Sequence, residues 1–157
     1  MITIGIDPGL SGAIGILNTG ALVAVYDMPI VAKGSGSVKN EVDPAGLIFL
    51  LRQHVPQGAT VSVVLERVNA MPGQGVSSVF SLGDSFGAAR AAAAACQFEL
   101  TYVSPVTWKK HFNLTSDKEQ SRSLATRMFP TAQLHLKKHS DRAEALLMAR
   151  WLYDKLR

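Results

Sequence analysis

The sequence predicts an α/β fold: a five-stranded mixed sheet, made of an antiparallel meander plus parallel strands, flanked by helices. Three observations lead there. Short apolar, β-branched runs separated by glycine turns fill residues 2–28, strand-like runs then alternate with helix-patterned segments, and the closing third is helical in pattern. Two of the strand candidates end in a carboxylate, and an ionised side chain beside an apolar strand is costly unless a cation, hydrogen bonds or water compensate it.

Residues 2–7, ITIGID, read as the first strand, and Pro8-Gly9 with Ser11-Gly12 makes the tight turn that lets AIGIL return as the second. Asn18-Thr19-Gly20 turns the chain again into ALVAVYDM, residues 21–28, the third strand. The stretch KGSGSVKN, 33–40, is Gly/Ser/Lys-rich and reads as a flexible loop, too short to separate two domains. Asp43-Pro44 offers an N-cap and a proline at the first helical position, and Leu47, Leu50, Leu51 and Val55 follow at helical spacing, so a helix is expected over 43–54. TVSVVLE, 60–66, is a buried-strand candidate ending at Glu66. AARAAAAA at 88–95 anchors a helix within 76–96 through alanine's propensity. A short strand near 99–103 and helices near 105–111, 117–128 and 140–155 complete the order βββ-α-β-α-β-α-α-α. That order points to the ribonuclease H type of α/β fold in a single domain, 1–157.

Length and composition narrow the function classes. At 157 residues the chain buries a real core, and no apolar run approaches the ~18 residues that span a bilayer. A soluble, cytoplasmic protein is expected. Cys96 alone forms no internal disulfide and lacks zinc-site spacing, so a buried apolar role is expected for it. Charge is asymmetric: residues 1–100 carry five Lys/Arg against seven Asp/Glu, whereas the remaining 57 carry eleven against five. Clustered positive charge favours a polyanion, with a merely solvated basic surface as the plainer alternative.

In this topology the first strand is central and the Glu66 strand lies parallel beside it, so Asp7 and Glu66 meet at neighbouring C-terminal strand ends, where ligand sites concentrate. Asp141 and Glu144 are three apart in HSDRAEALLMARW and share a helix face, while Ala145, Leu147, Met148, Trp151 and Leu152 pack that helix on the sheet. Four converging carboxylates repel one another unless a divalent cation is present, and hard oxygen donors suit Mg²⁺, with Mn²⁺ in its place. Two such ions about 4 Å apart serve in-line displacement at phosphorus, so the constellation suggests phosphodiester hydrolysis. Taken singly, each carboxylate has a simpler reading: Asp7 as a turn former, Glu66 as an ion pair with Arg67, Asp141 and Glu144 as complements to a helix dipole.

With these residues in view, the chain resembles the RuvC family of Holliday junction resolvases over nearly its whole length. The resemblance is carried by IGIDPGLSGAIG, VVLERV at 63–68, SSVFSLGDSFGAARAAAAA, YVSPVTWKK, SDKEQ at 116–120 and DRAEALLMA at 141–149. It implies a dimeric, metal-dependent endonuclease that makes two symmetric nicks in a four-way DNA junction, with a branch-migration motor as a potential partner. It also implies a bacterial cytoplasmic, nucleoid-associated or phage-encoded setting. By position Asp7, Glu66, Asp141 and Glu144 match the family's metal-binding acids. Glu144 departs from the usual aspartate by one methylene. Lys109 and Lys118 fall where the family has basic residues near the cut, and Arg122, Lys137 and Lys138 join them as candidate DNA contacts, each with a solvated helix face as the alternative, as it is for Arg127 and Arg142. His139 is a candidate phosphate or proton-transfer group, with a surface histidine as the simpler expectation. Phe80 or Met71, in the loop NAMPGQGVSSVF, could wedge against unstacked bases, with a core position as the simpler expectation for Phe80, an apolar residue at a helix start. The small-residue helix 85–96 would let a second subunit approach, or could equally pack on the sheet.

Three rivals remain at this level. A phosphotransferase of the actin and sugar-kinase type needs a second domain and phosphate loop that the chain lacks. A catalytically silent junction-binding protein is expected to lack an acidic position, and all four are filled. A ribonuclease H-type nuclease acting on other branched DNA or on RNA stays open.

Overall fold

The computed structural model describes all 157 residues. A five-stranded sheet is ordered β3-β2-β1-β6-β7, with β1 at Ile2–Asp7, β2 at Ala13–Asn18, β3 at Ala21–Asp27, β6 at Val61–Glu66 and β7 at Glu99–Val103. β1 pairs antiparallel with β2 and β2 with β3, whereas β1–β6 and β6–β7 are parallel. The mixed ribonuclease H-like sheet expected from the sequence is therefore present, with β1 at its centre. A two-stranded ribbon, β4 at Ile30–Ala32 and β5 at Asn40–Val42, was not expected. The loop expected over 33–40 supplies its connection and also the first residue of β5, Asn40, because three-residue strands carry too little alternation to register.

Period-two alternation divides the core. Ile2, Ile4, Ile6, Ile14, Ile16, Val63 and Leu65 belong to one cluster with Leu47 and Leu51 of α1 (Pro44–Gln53) and Ala89, Ala92 and Ala93 of α2 (Val76–Ala95). Leu17 and Val64 belong to a second cluster that holds most of the inward residues of α5, Ser140–Leu156. That cluster also contains Trp108 of α3 (Pro105–His111) and Ala125 of α4 (Lys118–Met128). Because side chains alternate, Gly5 and Asp7 project to the α5 side, as do Val64 and Glu66. Cys96 lies in the first cluster as a buried apolar residue.

The seating of α5 depends on two glycines. Gly5 and Gly15 are cross-strand partners. A Cβ on Gly5 would stand 2.1 Å from the Ala145 carbonyl oxygen, and one on Gly15 would stand 2.7 Å from the Leu146 nitrogen. The paired glycines thus form a trough that receives the α5 backbone, which explains why α5 lies so close to β1 and β2.

At its first turn α5 is also tied to the meander. Arg142 Nε and Nη2 donate to the two carboxylate oxygens of Asp27 at 2.6 and 2.8 Å, so the side chain is engaged within the fold, which neither a DNA contact nor a solvated helix face describes. The Arg142 hydrogen bond holds the Asp27 carboxyl below its ordinary value. A depressed carboxylate adds stability that is full above the ordinary aspartate value and is lost as pH falls through the folded one. Asp27 is largely exposed, so Asp27→Asn should cost only about 0.5 kcal/mol at pH 7. Thermal melts of the two proteins should converge as pH falls through the folded Asp27 value, which lies below the ordinary aspartate value; a gap unchanged by acid would show that the ion pair is not its source.

Candidate active site: an acidic cleft at the β1 and β6 ends

Asp7 ends β1, and the chain then turns sharply. Gly9 takes a φ of 117°, Gly12 N–H donates to the Gly9 carbonyl at 3.1 Å, and a Cβ on Gly12 would lie 2.0 Å from the Asp7 carbonyl oxygen. The turn that might have explained Asp7 by itself serves to bend backbone away from the carboxylate. Glu66 ends the neighbouring parallel strand, and Asp141, in the first turn of α5, and Glu144, one turn further along, face both. All four line one cleft with Pro8, Gly9, Leu10, Ser11, Gly12, Pro105, Lys109 and Lys118.

Ligand atoms of Asp7, Asp141 and Glu144 lie within 4.8 Å of one another. Glu66 stands outside that trio, its Oε1 accepting a 2.8 Å hydrogen bond from Trp108 Nε1. Arg67 is not its ion-pair partner, since that guanidinium lies 4.5 Å from the centre of the Tyr102 ring. Burial first, then the charges of Glu66, Asp141 and Glu144, push the Asp7 carboxyl well above the ordinary range. Burial also raises Glu66, opposed by the Trp108 hydrogen bond. Such a cluster is electrostatically unsatisfied as a set of anions and fits a hard divalent cation. The donor set, oxygen atoms alone, suits Mg²⁺ or Mn²⁺.

Two lysines supply partial compensation. Lys109 Nζ is 2.9 Å from Glu144 Oε1, and Lys118 Nζ is 2.5 Å from Asp141 Oδ1. Burial disfavours the Lys118 charge, yet the Asp141 hydrogen bond and the charges of Asp141, Glu144 and Asp7 hold its ammonium above the ordinary lysine value. Ser121 Oγ donates to Glu144 at 3.3 Å, placing α4 behind the site.

The remaining candidates are spread more widely. Lys137 and Lys138 form a short 3₁₀ turn before α5 and, with Lys118, Asp117, Glu119 and Ser140, border a second open groove beside the cleft. Arg122 is engaged by Glu119 and donates to the Leu134 carbonyl at 2.8 Å. His139 corrects an expectation: it is only 5% exposed rather than a surface histidine, and its Nδ1 accepts from the Leu136 amide at 3.3 Å. Its position in the 3₁₀ turn packs the ring against His135, which the sequence pattern did not reveal. Phe80 and Met71 are 69% and 63% exposed, away from the clusters above, with Lys33 Nζ 5.8 Å from the centre of the Phe80 ring.

Sequence reasoning missed Gly5, Gly15 and Trp108. A lone glycine inside each strand run was the available signal for the first two; nothing in WKK distinguished the tryptophan from ordinary core.

No family model and no curated protein matches the sequence. Solved structures do match by shape. The chain is similar to T. thermophilus RuvC in complex with a Holliday junction substrate, at 19% identity and a TM-score of 0.64, covering 99% of this chain and 96% of that one. A Thermus thermophilus RuvC structure matches at 15% identity and a TM-score of 0.58, with the same coverage. The fold is that of these RuvC structures, over essentially the whole chain.

Proposed function

We propose that the protein is a metal-dependent, structure-selective endodeoxyribonuclease that resolves four-way DNA junctions by paired, symmetric nicks. The observation that carries this reading is the meeting of Asp7, Asp141 and Glu144 in one lysine-flanked cleft, with Glu66 on its wall. The fold likeness to a resolvase bound to its junction supports the substrate class.

Asp7, Asp141 and Glu144 would hold Mg²⁺ or Mn²⁺, with Glu66 as the fourth oxygen donor. Divalent cations held there would supply a water of lowered pKa and offset charge on the leaving oxygen of an in-line displacement at phosphorus. The chain's own part is placement. Asp7 and Glu66 are fixed by strand ends, Asp141 and Glu144 by one helical turn, so the donor set needs little rearrangement to act. Lys118, 57% exposed at its side chain and paired with Asp141 at the cleft rim, would meet a phosphate entering there, with Lys109 on the inner wall beside Glu144. Lys137 and Lys138 extend the cationic surface along the neighbouring groove, so a DNA arm leaving the cut meets positive charge. The turn at Gly9 and Gly12 keeps the backbone beside Asp7 slim enough for a phosphodiester to approach.

Two coordinated cuts need two such clefts, so a homodimer is part of the proposal. The exposed α2 face supports it: Val76 and Phe80 are open to solvent, and nothing lies within 4 Å of a Cβ placed on Gly83 or Gly87. Light scattering at micromolar concentration should give twice the 16.8 kDa chain mass, and a monomer throughout would remove the dimer from the proposal.

The principal test uses synthetic four-way junctions and linear duplex of the same sequence, each with Mg²⁺ or with chelator. Paired nicks near the branch point, present only with metal, are expected. Equal cutting of linear duplex would exclude junction selectivity and favour a nuclease of the same fold with broader substrates.

A further inference from the structure

We infer that Trp108 is a positioning residue of the cleft, one buried indole that sets the orientation of Glu66 by its edge and supports Lys109 on its face. This rests on the reading of the cleft as a divalent-metal centre. Trp108 is fully buried in α3, a short helix whose start is set by Ser104, with Oγ accepting from the Thr107 amide at 3.2 Å, and by Pro105. From there Nε1–H donates to Glu66 Oε1 at 2.8 Å, and Lys109 Nζ lies 5.1 Å from the ring centre while ion-paired to Glu144. A single side chain therefore links a carboxylate on the sheet to a carboxylate on α5.

The chemistry of the donor matters. Asp141 and Glu144 are each met by a lysine, whose charge must be displaced or shared when a cation arrives. Glu66 is met by a neutral N–H, which fixes one oxygen and leaves the carboxylate's negative charge available to a metal. A ligand oriented in this way by an outer partner binds more tightly, and loss of such a partner typically costs about 10–100-fold in affinity. The second tryptophan gives an internal comparison. Trp151 is also buried, but its Nε1–H has no hydrogen-bond partner, so that indole only packs. Both side chains fill core, and only Trp108 directs its N–H at the acidic cleft.

Trp108→Phe keeps an aromatic ring and removes the donor. The concentration of Mg²⁺ that gives a fixed rise in melting temperature should increase about tenfold, with junction affinity measured in chelator unchanged. An unchanged Mg²⁺ dependence of that rise would overturn the inference, since a purely packing role predicts only a lower metal-free melting temperature. A second measurement covers a variant that fails to fold. In Trp151→Phe protein Trp108 is the sole indole, and its emission should change saturably with Mg²⁺ in the absence of DNA, the change disappearing when Glu66→Gln is added. Emission indifferent to Mg²⁺, in protein whose melting temperature responds to it, would equally overturn the assignment. A wild-type melting temperature insensitive to Mg²⁺ and Mn²⁺ would instead remove the metal centre itself, and this inference with it.

Discussion

Asp7→Asn should lower junction cleavage about 10³-fold or more while leaving junction binding near the wild-type level. Asn keeps the shape of the side chain and one acceptor oxygen but not the charge, and the chemistry proposed for the cleft depends on anionic oxygen holding a divalent cation. DNA affinity draws instead on the lysines of the cleft and its neighbouring groove, which the substitution leaves in place. The variant should also be more stable than wild type without metal. Burial and three neighbouring carboxylates raise the Asp7 pKa, so the folded state holds that proton more tightly than the unfolded chain does. Ionising Asp7 therefore opposes folding at neutral pH, and the penalty fades as pH falls below the ordinary aspartate value. Asp7→Asn should accordingly melt higher than wild type at pH 7.5 in chelator, and the advantage should vanish near pH 4, close to that value. Added Mg²⁺ should raise the melting temperature of wild type alone. Full cleavage by the variant would remove Asp7 from the chemistry, and a lower metal-free melting temperature at pH 7.5 would show that its charge is already compensated.

Gly5→Ala should be the most damaging single methyl addition in the core. Its Cβ would sit 2.1 Å from the Ala145 carbonyl oxygen and 2.7 Å from the Ala149 nitrogen, both backbone atoms of α5 with no rotamer to relieve the contact. Overpacking by a methylene usually costs about 1–3 kcal/mol when side chains can shift. Here a helix must move off the sheet, and about 3 kcal/mol or more is expected, a large share of the stability of an ordinary domain. The urea midpoint should fall accordingly. Activity should fall further than the folded fraction predicts, because α5 carries Asp141 and Glu144 and its displacement opens the 4.8 Å trio. A wild-type midpoint for Gly5→Ala would mean that α5 does not rest in the glycine trough.

Much of this site was legible from residue order. Strand runs end at Asp7 and Glu66 because apolar alternation stops there, and the pairing of Asp141 with Glu144 follows from helical period. The order of elements implies that these ends meet in a sheet with β1 at the centre, and the structure has that arrangement. The basic character of the last 57 residues was visible as well, although charge counts do not separate Lys118, at the cleft, from Arg142, which is engaged by Asp27.

What the sequence by itself determined is periodicity: the strands of the main sheet and the helices of the core, the face each occupies, and hence which carboxylates share an end of the sheet. Only the tertiary structure decided the contacts between segments far apart in the chain. Trp108 and Glu66 are 42 residues apart, Arg142 and Asp27 are 115 apart, and Gly5 is needed because Ala145 crosses directly above it. These are properties of packing, in which the distance between two atoms depends on several elements at once, and no local pattern encodes them.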